Sequence, residues 1–214
     1  MLNIRMKSKT LTSYFIQLCF LVALISFTHA GYLIVKAHLA QYLLERTWHQ
    51  QITTDKAQKN RNFKPWPWAD IYPVAKLSFE RFNVSQIVLN NDSGQALAFG
   101  PGLNRVNVMK DGSSSSGIWV ISAHNDTHFK ILSELKLNDR IKITLKSGQS
   151  KTLSVNKVAV IDILIEQLVL PTNGVIDDYH QDVETSINEV VLVTCYPFGA
   201  INDSTNLRYL VYLS

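Results

Sequence analysis

Val190-Val191-Leu192-Val193-Thr194-Cys195-Tyr196-Pro197-Phe198 is a continuous apolar run that ends on a thiol and then a proline. Four branched apolar residues in a row read as a strand buried on both faces, hence a central one. Pro197 has no N–H for the ladder, so the chain leaves the sheet there, and Cys195 at the strand end can face a groove. A bystander cysteine in the strand is the plainer alternative. Thirteen residues on, Arg208 lies in a second apolar run, Leu207-Arg208-Tyr209-Leu210-Val211-Tyr212-Leu213. Upstream, Gly117-Ile118-Trp119-Val120-Ile121-Ser122-Ala123 leads into His124. A thiol, an imidazole and a guanidinium thus fall at or near the ends of three predicted strands. They are the minimum set for thiol-based acyl transfer: a nucleophile, a proton shuttle and a fixed cation for an oxyanion.

The pattern from residue 74 onward is β. Predicted strands cover 74–82, 85–90, 95–99, 117–123, 139–146, 151–161, 189–195 and 207–213. Asn91-Asp92-Ser93-Gly94 and Lys146-Ser147-Gly148-Gln149 read as hairpin turns. Residues 111–117, glycine- and serine-rich, read as a flexible loop. Residues 128–137 form the one helical piece of the domain, with Phe129, Leu132 and Leu135 on a common face. Eight short strands at this spacing predict an all-β fold, a closed barrel with short helices. The connection over 164–187 is long for a compact domain, which marks it as functional.

The chain has 214 residues and a net charge of +4, enough for one domain with appendages. No Lys/Arg cluster forms the basic stripe that nucleic acid would require, so nucleic acid is not an expected partner. Arg5, Lys7 and Lys9 precede an apolar stretch over 11–35, long enough to cross a hydrocarbon core as a helix. Cations on that side keep the tail 1–10 in the cytoplasm and export the rest. A signal peptide cut near Ala30 is the alternative; the apolar character continuing through Val35 favours an uncleaved anchor. Residues 36–63 read as a juxtamembrane helix and linker, with Leu39, Tyr42, Leu43 and Arg46 at helical spacing. Three prolines between Pro65 and Pro73 then enforce an extended segment leading into the barrel domain, 64–214. Its Trp66 and Trp68 either plug the side of the barrel or lie at a membrane interface. Of two cysteines, Cys19 lies in the anchor, so Cys195 is the only thiol of the exported part and has no disulfide partner there.

Each candidate has a competing role. His124 and His128 have the spacing of a zinc pair on a helix, but Asn125 stands where that signature needs a glutamate. A metal would also have to recruit His180 and Asp177 or Asp178. His124 directly follows a strand, the better place for a fixed imidazole, whereas His128 packs on the barrel. Asp126 caps the helix or orients either ring. Arg208 in an apolar run needs an anionic or polar partner, either a loop acid such as Asp177 or Asp178 or the carbonyl of a substrate.

The order His124, Cys195, Arg208 resembles the triad of the sortase family of cysteine transpeptidases, and the resemblance covers roughly residues 66–214. Ser122-Ala123-His124-Asn125-Asp126-Thr127-His128-Phe129 is similar to the family's Gly-His-Arg-Asp-Thr-His-Phe stretch, and Leu192-Val193-Thr194-Cys195 to its Leu-x-Thr-Cys. Thr194 through Phe198, Pro65 through Asp70 and Ala98 through Gly102 resemble the subgroup of Gram-negative bacteria. Ala123 replaces a usual glycine and Asn125 a usual arginine. The resemblance implies a sortase-like barrel behind a transmembrane helix, at the bacterial inner membrane with its catalytic domain outside the cytoplasm. It implies that Cys195 attacks a Leu-Pro-x-Thr-Gly-like sorting signal of an exported protein. Arg208 would hold the carbonyl, Thr194 and Arg208 would contact the peptide, and His124 would shuttle the proton. A thioacyl intermediate would pass to an amine acceptor, without metal or organic cofactor. A catalytically inactive anchored binding module is the competing class. An L,D-transpeptidase would want glycine before the thiol and an arginine soon after it, and papain-like hydrolases place the cysteine before the histidine.

Overall fold

The apolar runs pair into a single closed sheet. A computed structural model describes residues 2–54, 62–110, 114–164, 189–199 and 205–214. Within them the strands are β1 (Pro73–Phe79), β2 (Val84–Leu89), β3 (Gly102–Lys110), β4 (Ser114–Ser122), β5 (Arg140–Leu145), β6 (Ser150–Asp162), β7 (Glu189–Cys195) and β8 (Leu207–Leu213). They close in the order β1-β2-β3-β4-β7-β8-β6-β5, with β5 pairing back onto β1. Closure removes the free edges that an open sheet would expose. Most neighbours are antiparallel. The parallel exceptions are β4 with β7, in register from Ile118↔Glu189 to Ser122↔Val193, and β2 with β3, which meet at Leu89↔Gly102 alone.

Strand periodicity divides the apolar residues between two faces. Trp119, Ile121, Val190, Leu192, Val211 and Leu213 point into the main core with Leu77, Phe79, Ile141, Ile143, Leu153 and Val155. The alternate residues Ile118, Val120, Val191 and Leu210 form a second buried cluster with Ile161, against which Val193 and Tyr212 pack. Both faces of β7 are therefore apolar, which is why its run is continuous rather than alternating.

The expected barrel of eight strands is present, with one strand relocated. Residues 95–99 are not a strand: Gly94–Leu97 forms a helical turn, α2, whose N-cap Ser93 accepts from Ala96 N at 3.3 Å. Gln-Ala-Leu are good helix formers, and the serine cap satisfies one of the first N–H groups. Asn91-Asp92-Ser93-Gly94 is accordingly a helix start rather than a hairpin. The missing strand is β3, which pairs with β4 along its full length from Gly102↔Ser122 to Lys110↔Ser114. Its Asn104, Arg105 and Asn107 are poor strand formers, and the ladder to β4 overrides that preference. β4 accordingly starts at Ser114, inside the stretch expected to be a loop. Glycine is required at 102, where a Cβ would lie 2.3 Å from the Asn91 carbonyl oxygen.

One helix, α1 (Leu2–Thr53), spans the expected anchor and much of the juxtamembrane segment. It is long and apolar enough to cross a membrane, with a mean hydropathy of 2.1 in its most apolar window. The chain separates into Met1–Tyr42 and a compact unit, Leu43–Ser214, so the last turns of α1 belong with the barrel. There Leu44, Thr47, Trp48 and Gln51 are buried, a face offset from the predicted Leu39, Tyr42, Leu43 and Arg46. Thr47 and Gln51 are polar, so hydropathy alone hides this stripe. Leu44 and Trp48 pack with Ala69, Ile71, Ile87, Leu89 and Ala96. Lys76 of β1 donates to Glu45 at 3.2 Å, tying the same turns to the sheet. Trp66 packs edge-on against Phe99 with ring centroids 5.4 Å apart, whereas Trp68 is 79 % exposed.

Leu192 is fully buried at the centre of β7. Leu192→Ala is expected to destabilise the chain by about 2–5 kcal/mol through lost burial and the cavity left behind. Urea unfolding of the detergent-solubilised protein, followed by tryptophan fluorescence, measures it; a loss under about 1 kcal/mol would mean the core collapses around the site.

Candidate active site

The parallel register of β4 and β7 places His124 and Cys195 side by side. Ser122 pairs with Val193, and Ala123 N donates to Val193 O at 3.2 Å. His124 lies two residues past Ser122, and Cys195 two past Val193. Both therefore sit at the same end of adjacent strands, whose spacing is about 4.8 Å. On the other flank of β7, Cys195 is the direct cross-strand partner of Arg208. Opposed residues of an antiparallel pair have Cα atoms about 4.5–5.5 Å apart and project to the same face. Cys195 and Arg208 thus share the face of Val191, Val193, Leu210 and Tyr212. Three adjacent strands, β4-β7-β8, deliver the imidazole, the thiol and the guanidinium to one end of the barrel.

The local bonds show what each group has left to offer. Cys195 is a free, half-buried thiol. Arg208 Nη1 donates to the Thr205 and Leu207 carbonyls, both at 2.9 Å, so the guanidinium is oriented by the backbone at the start of β8 and just before it. Among the described residues it pairs with no carboxylate; Asp177, Asp178 and His180 lie outside them. Its Nε and Nη2 hydrogens can donate to a carbonyl or an oxyanion. Tyr196 N donates to Leu207 O at 3.1 Å and Thr205 Oγ1 donates to Tyr196 O, which joins the thiol's turn to the approach to β8.

His124 is exposed, and its carbonyl accepts from Phe129 N at 2.9 Å, closing the turn 125–129. Fully buried Phe129 and Leu132 anchor this turn and the 3₁₀ segment Lys130–Glu134 in the main core. His128 is half-buried and its carbonyl accepts from Gln86 Nε2. Burial lowers its pKa from the usual 6.5, the charge of nearby His124 lowers it further, and Asp126 opposes both. Asp126 caps nothing here: the N-cap of the 3₁₀ segment is Phe129, with no side-chain bond. Among the described residues no three His, Cys, Asp or Glu side chains converge as a metal site.

Thr194, expected beside the peptide, is 2 % exposed, and its hydroxyl donates to the Ala123 carbonyl at 2.7 Å. Its one O–H is engaged between two strand ends and faces the interior. Asn125, at first only a departure from a motif, is 7 % exposed and donates to the Pro197 carbonyl at 3.1 Å. Gln86, Asn125 and Thr205 escape the sequence reading because each acts on a distant or irregular backbone. Adjacency to His124 is the one signal that points to Asn125.

His128 is the group through which pH should reach the fold. Its lowered pKa means that the unfolded chain takes up this proton at higher pH than the folded one. The stability that a neutral His128 confers is complete above 6.5 and is lost as the pH falls below that value. Denaturant unfolding from pH 8 to pH 5 is expected to show this decline and His128→Gln to flatten it. Equal slopes in the two proteins would remove His128 as the cause.

Comparison with known proteins gives a consistent picture. The profile of the Sortase domain family matches residues 77–214. Sortase D of Bacillus subtilis (strain 168) is 24 % identical over 160 residues, covering 75 % of this chain and 71 % of the relative. The fold is similar to sortase A from Corynebacterium diphtheriae, with TM-score 0.51 and 18 % identity over 84 % of this chain and 83 % of that one. It is also similar to the sortase D5 transpeptidase of Clostridium perfringens, with TM-score 0.53 and 17 % identity over 83 % and 98 % of the two chains.

Proposed function

The chain belongs to the sortase family of cysteine transpeptidases, and on that premise we propose that Cys195 is its nucleophile, His124 its proton shuttle and Arg208 its oxyanion donor. The observation that carries this reading is the cross-strand pairing of Cys195 with Arg208 beside the strand end that bears His124. The Cys195 thiolate attacks the carbonyl of the threonine in a Leu-Pro-x-Thr-Gly-like sorting signal. Negative charge develops on the carbonyl oxygen, and the guanidinium, already held by two backbone carbonyls, donates to it without reorganising. His124 gives a proton to the departing amine, leaving a thioacyl enzyme. It then takes a proton from the incoming amine, which attacks the thioester and releases the thiolate. The product is a new amide between the exported protein and its acceptor.

The same reading extends to placement. The apolar part of α1 anchors the protein in the inner membrane, and Arg5, Lys7 and Lys9 hold the short tail on the cytoplasmic side. The domain boundaries follow, with tail 1–10, anchor 11–35, juxtamembrane segment 36–63 and catalytic barrel 64–214. The last turns of α1 pack with that barrel. The motifs Thr194 through Phe198 and Pro65 through Asp70 support assignment to the Gram-negative subgroup.

Incubating the detergent-solubilised chain with Leu-Pro-x-Thr-Gly-like peptides should give a thioacyl adduct on Cys195, read by mass spectrometry. Cys195→Ala and His124→Ala should form none while melting close to wild type. Turnover by the Cys195→Ala protein would end the assignment, and a folded wild type that binds peptide without any adduct would make the protein a binding module.

Arg208→Lys separates orientation from charge. Lysine keeps the charge and loses the planar fork, so peptide cleavage is expected to fall about a hundred- to a thousandfold, the usual effect of losing one oxyanion donor. Thermal melting should change by a few degrees at most. Cleavage within about threefold of wild type, near 0.7 kcal/mol, would return Arg208 to a structural role.

A further inference from the structure

Two side-chain bonds bracket the thiol and the imidazole. On the near side, Thr194 Oγ1 donates to the Ala123 carbonyl at 2.7 Å, linking the residues just before Cys195 and His124. On the far side, Asn125 Nδ2 donates to the Pro197 carbonyl at 3.1 Å, linking the residue after His124 to the second residue after Cys195. The backbone ladder between β4 and β7 has ended by then, with Ala123 N donating to Val193 O at 3.2 Å. Past that point, among the described residues, the Asn125 amide is the hydrogen bond between the imidazole turn and the thiol turn. Asn125 is 7 % exposed, so water competes little for its donor, and losing the bond would leave a buried amide without its partner.

We infer that Asn125 is a positioning residue, whose amide clamps the turn of His124 onto the turn of Cys195 and sets the spacing of the proton shuttle from the thiol. The inference rests on the roles proposed for those two residues. The donor is the part that matters. Pro197 has no N–H with which to anchor its own turn, so its carbonyl is the available handle. An arginine at 125 would carry a long charged side chain into this buried place, and the short amide makes the same crossing uncharged. Thr194 holds the other end from inside the barrel. The two bonds thus fix both ends of the short backbone segments that carry the reacting groups.

The test uses the full chain in detergent as wild type, Asn125→Ala and Asn125→Asp. Peptide turnover gives kcat and KM. Alkylation of Cys195 by iodoacetamide across pH, read by mass spectrometry of the peptide that bears it, reports the thiol's surroundings without any substrate. Both variants are expected to lose about ten- to a hundredfold in kcat, the scale of a misplaced reacting group, with KM within about twofold. Their alkylation profiles should be displaced from that of wild type. Asp keeps the shape of Asn but, when ionised, has no donor for the Pro197 carbonyl. Its activity relative to wild type should recover as the pH falls and its carboxyl is protonated. If Asn125→Ala does not fold, Asn125→Asp carries the test alone. The inference is overturned if Asn125→Asp turns over and alkylates as wild type does, or if a folded Asn125→Ala keeps kcat within about twofold. Variant alkylation profiles displaced from that of a wild type that itself cleaves no peptide would sink the proposed reaction and leave the positioning role standing.

Discussion

The parallel pairing of β4 with β7 is the constraint on which the rest of the structure depends. Parallel neighbours cannot be joined by a tight turn, so the chain must leave β4, build β5 and β6 elsewhere in the barrel, and return. The reward is directional. Both strands run the same way, so both end at the same rim, and the residues just beyond their ends meet. His124 and Cys195, 71 residues apart, become neighbours for that reason. An antiparallel pairing would have put one of them at the far end of the barrel.

β8 then adds the charge. Its antiparallel register with β7 sets Arg208 opposite the thiol, and the two backbone carbonyls that hold Nη1 fix the direction of the guanidinium. A guanidinium held this way is organised in advance, which is what the role proposed for Arg208 requires. The thiol and the guanidinium also share a sheet face with the cluster of Ile118, Val120, Val191 and Leu210. The thiol and the guanidinium therefore stand at the head of an apolar strip rather than in bulk polar surface, where a charge interaction would be weaker.

How much of this is legible in the sequence depends on how local each signal is. β7 and β8 stand out because their residues are apolar on both faces, and Pro197 marks where one of them stops. The order of histidine, cysteine and arginine and the closed barrel are read from the same runs. β3 is hidden by Asn104, Arg105 and Asn107, whose strand character comes from pairing with β4 rather than from their own preference. The buried face of α1 is hidden because Thr47 and Gln51 belong to it, so hydropathy periodicity selects a neighbouring set. The ties made by Thr194 and Asn125 are out of reach for another reason. Each joins residues about seventy positions apart, and only the β4–β7 register reveals that they are adjacent.

The thin join between β2 and β3 has a consequence for how the barrel breathes. These strands meet at one residue pair, with Leu89 N donating to Pro101 O at 2.8 Å, while the other junctions run for several pairs. Leu44 and Trp48 of α1 lie with Ile87 and Leu89 over this join, so burial does there what the ladder does elsewhere. Local opening starts where the fewest backbone bonds must break. Amide exchange should therefore rise first along this line, and the sheet should unroll from it like a cylinder slit lengthwise. The unrolled sheet keeps β4, β7 and β8 paired to one another, with β3 still laddered along the outer side of β4, so the three candidate catalytic groups stay together through the openings that cost least.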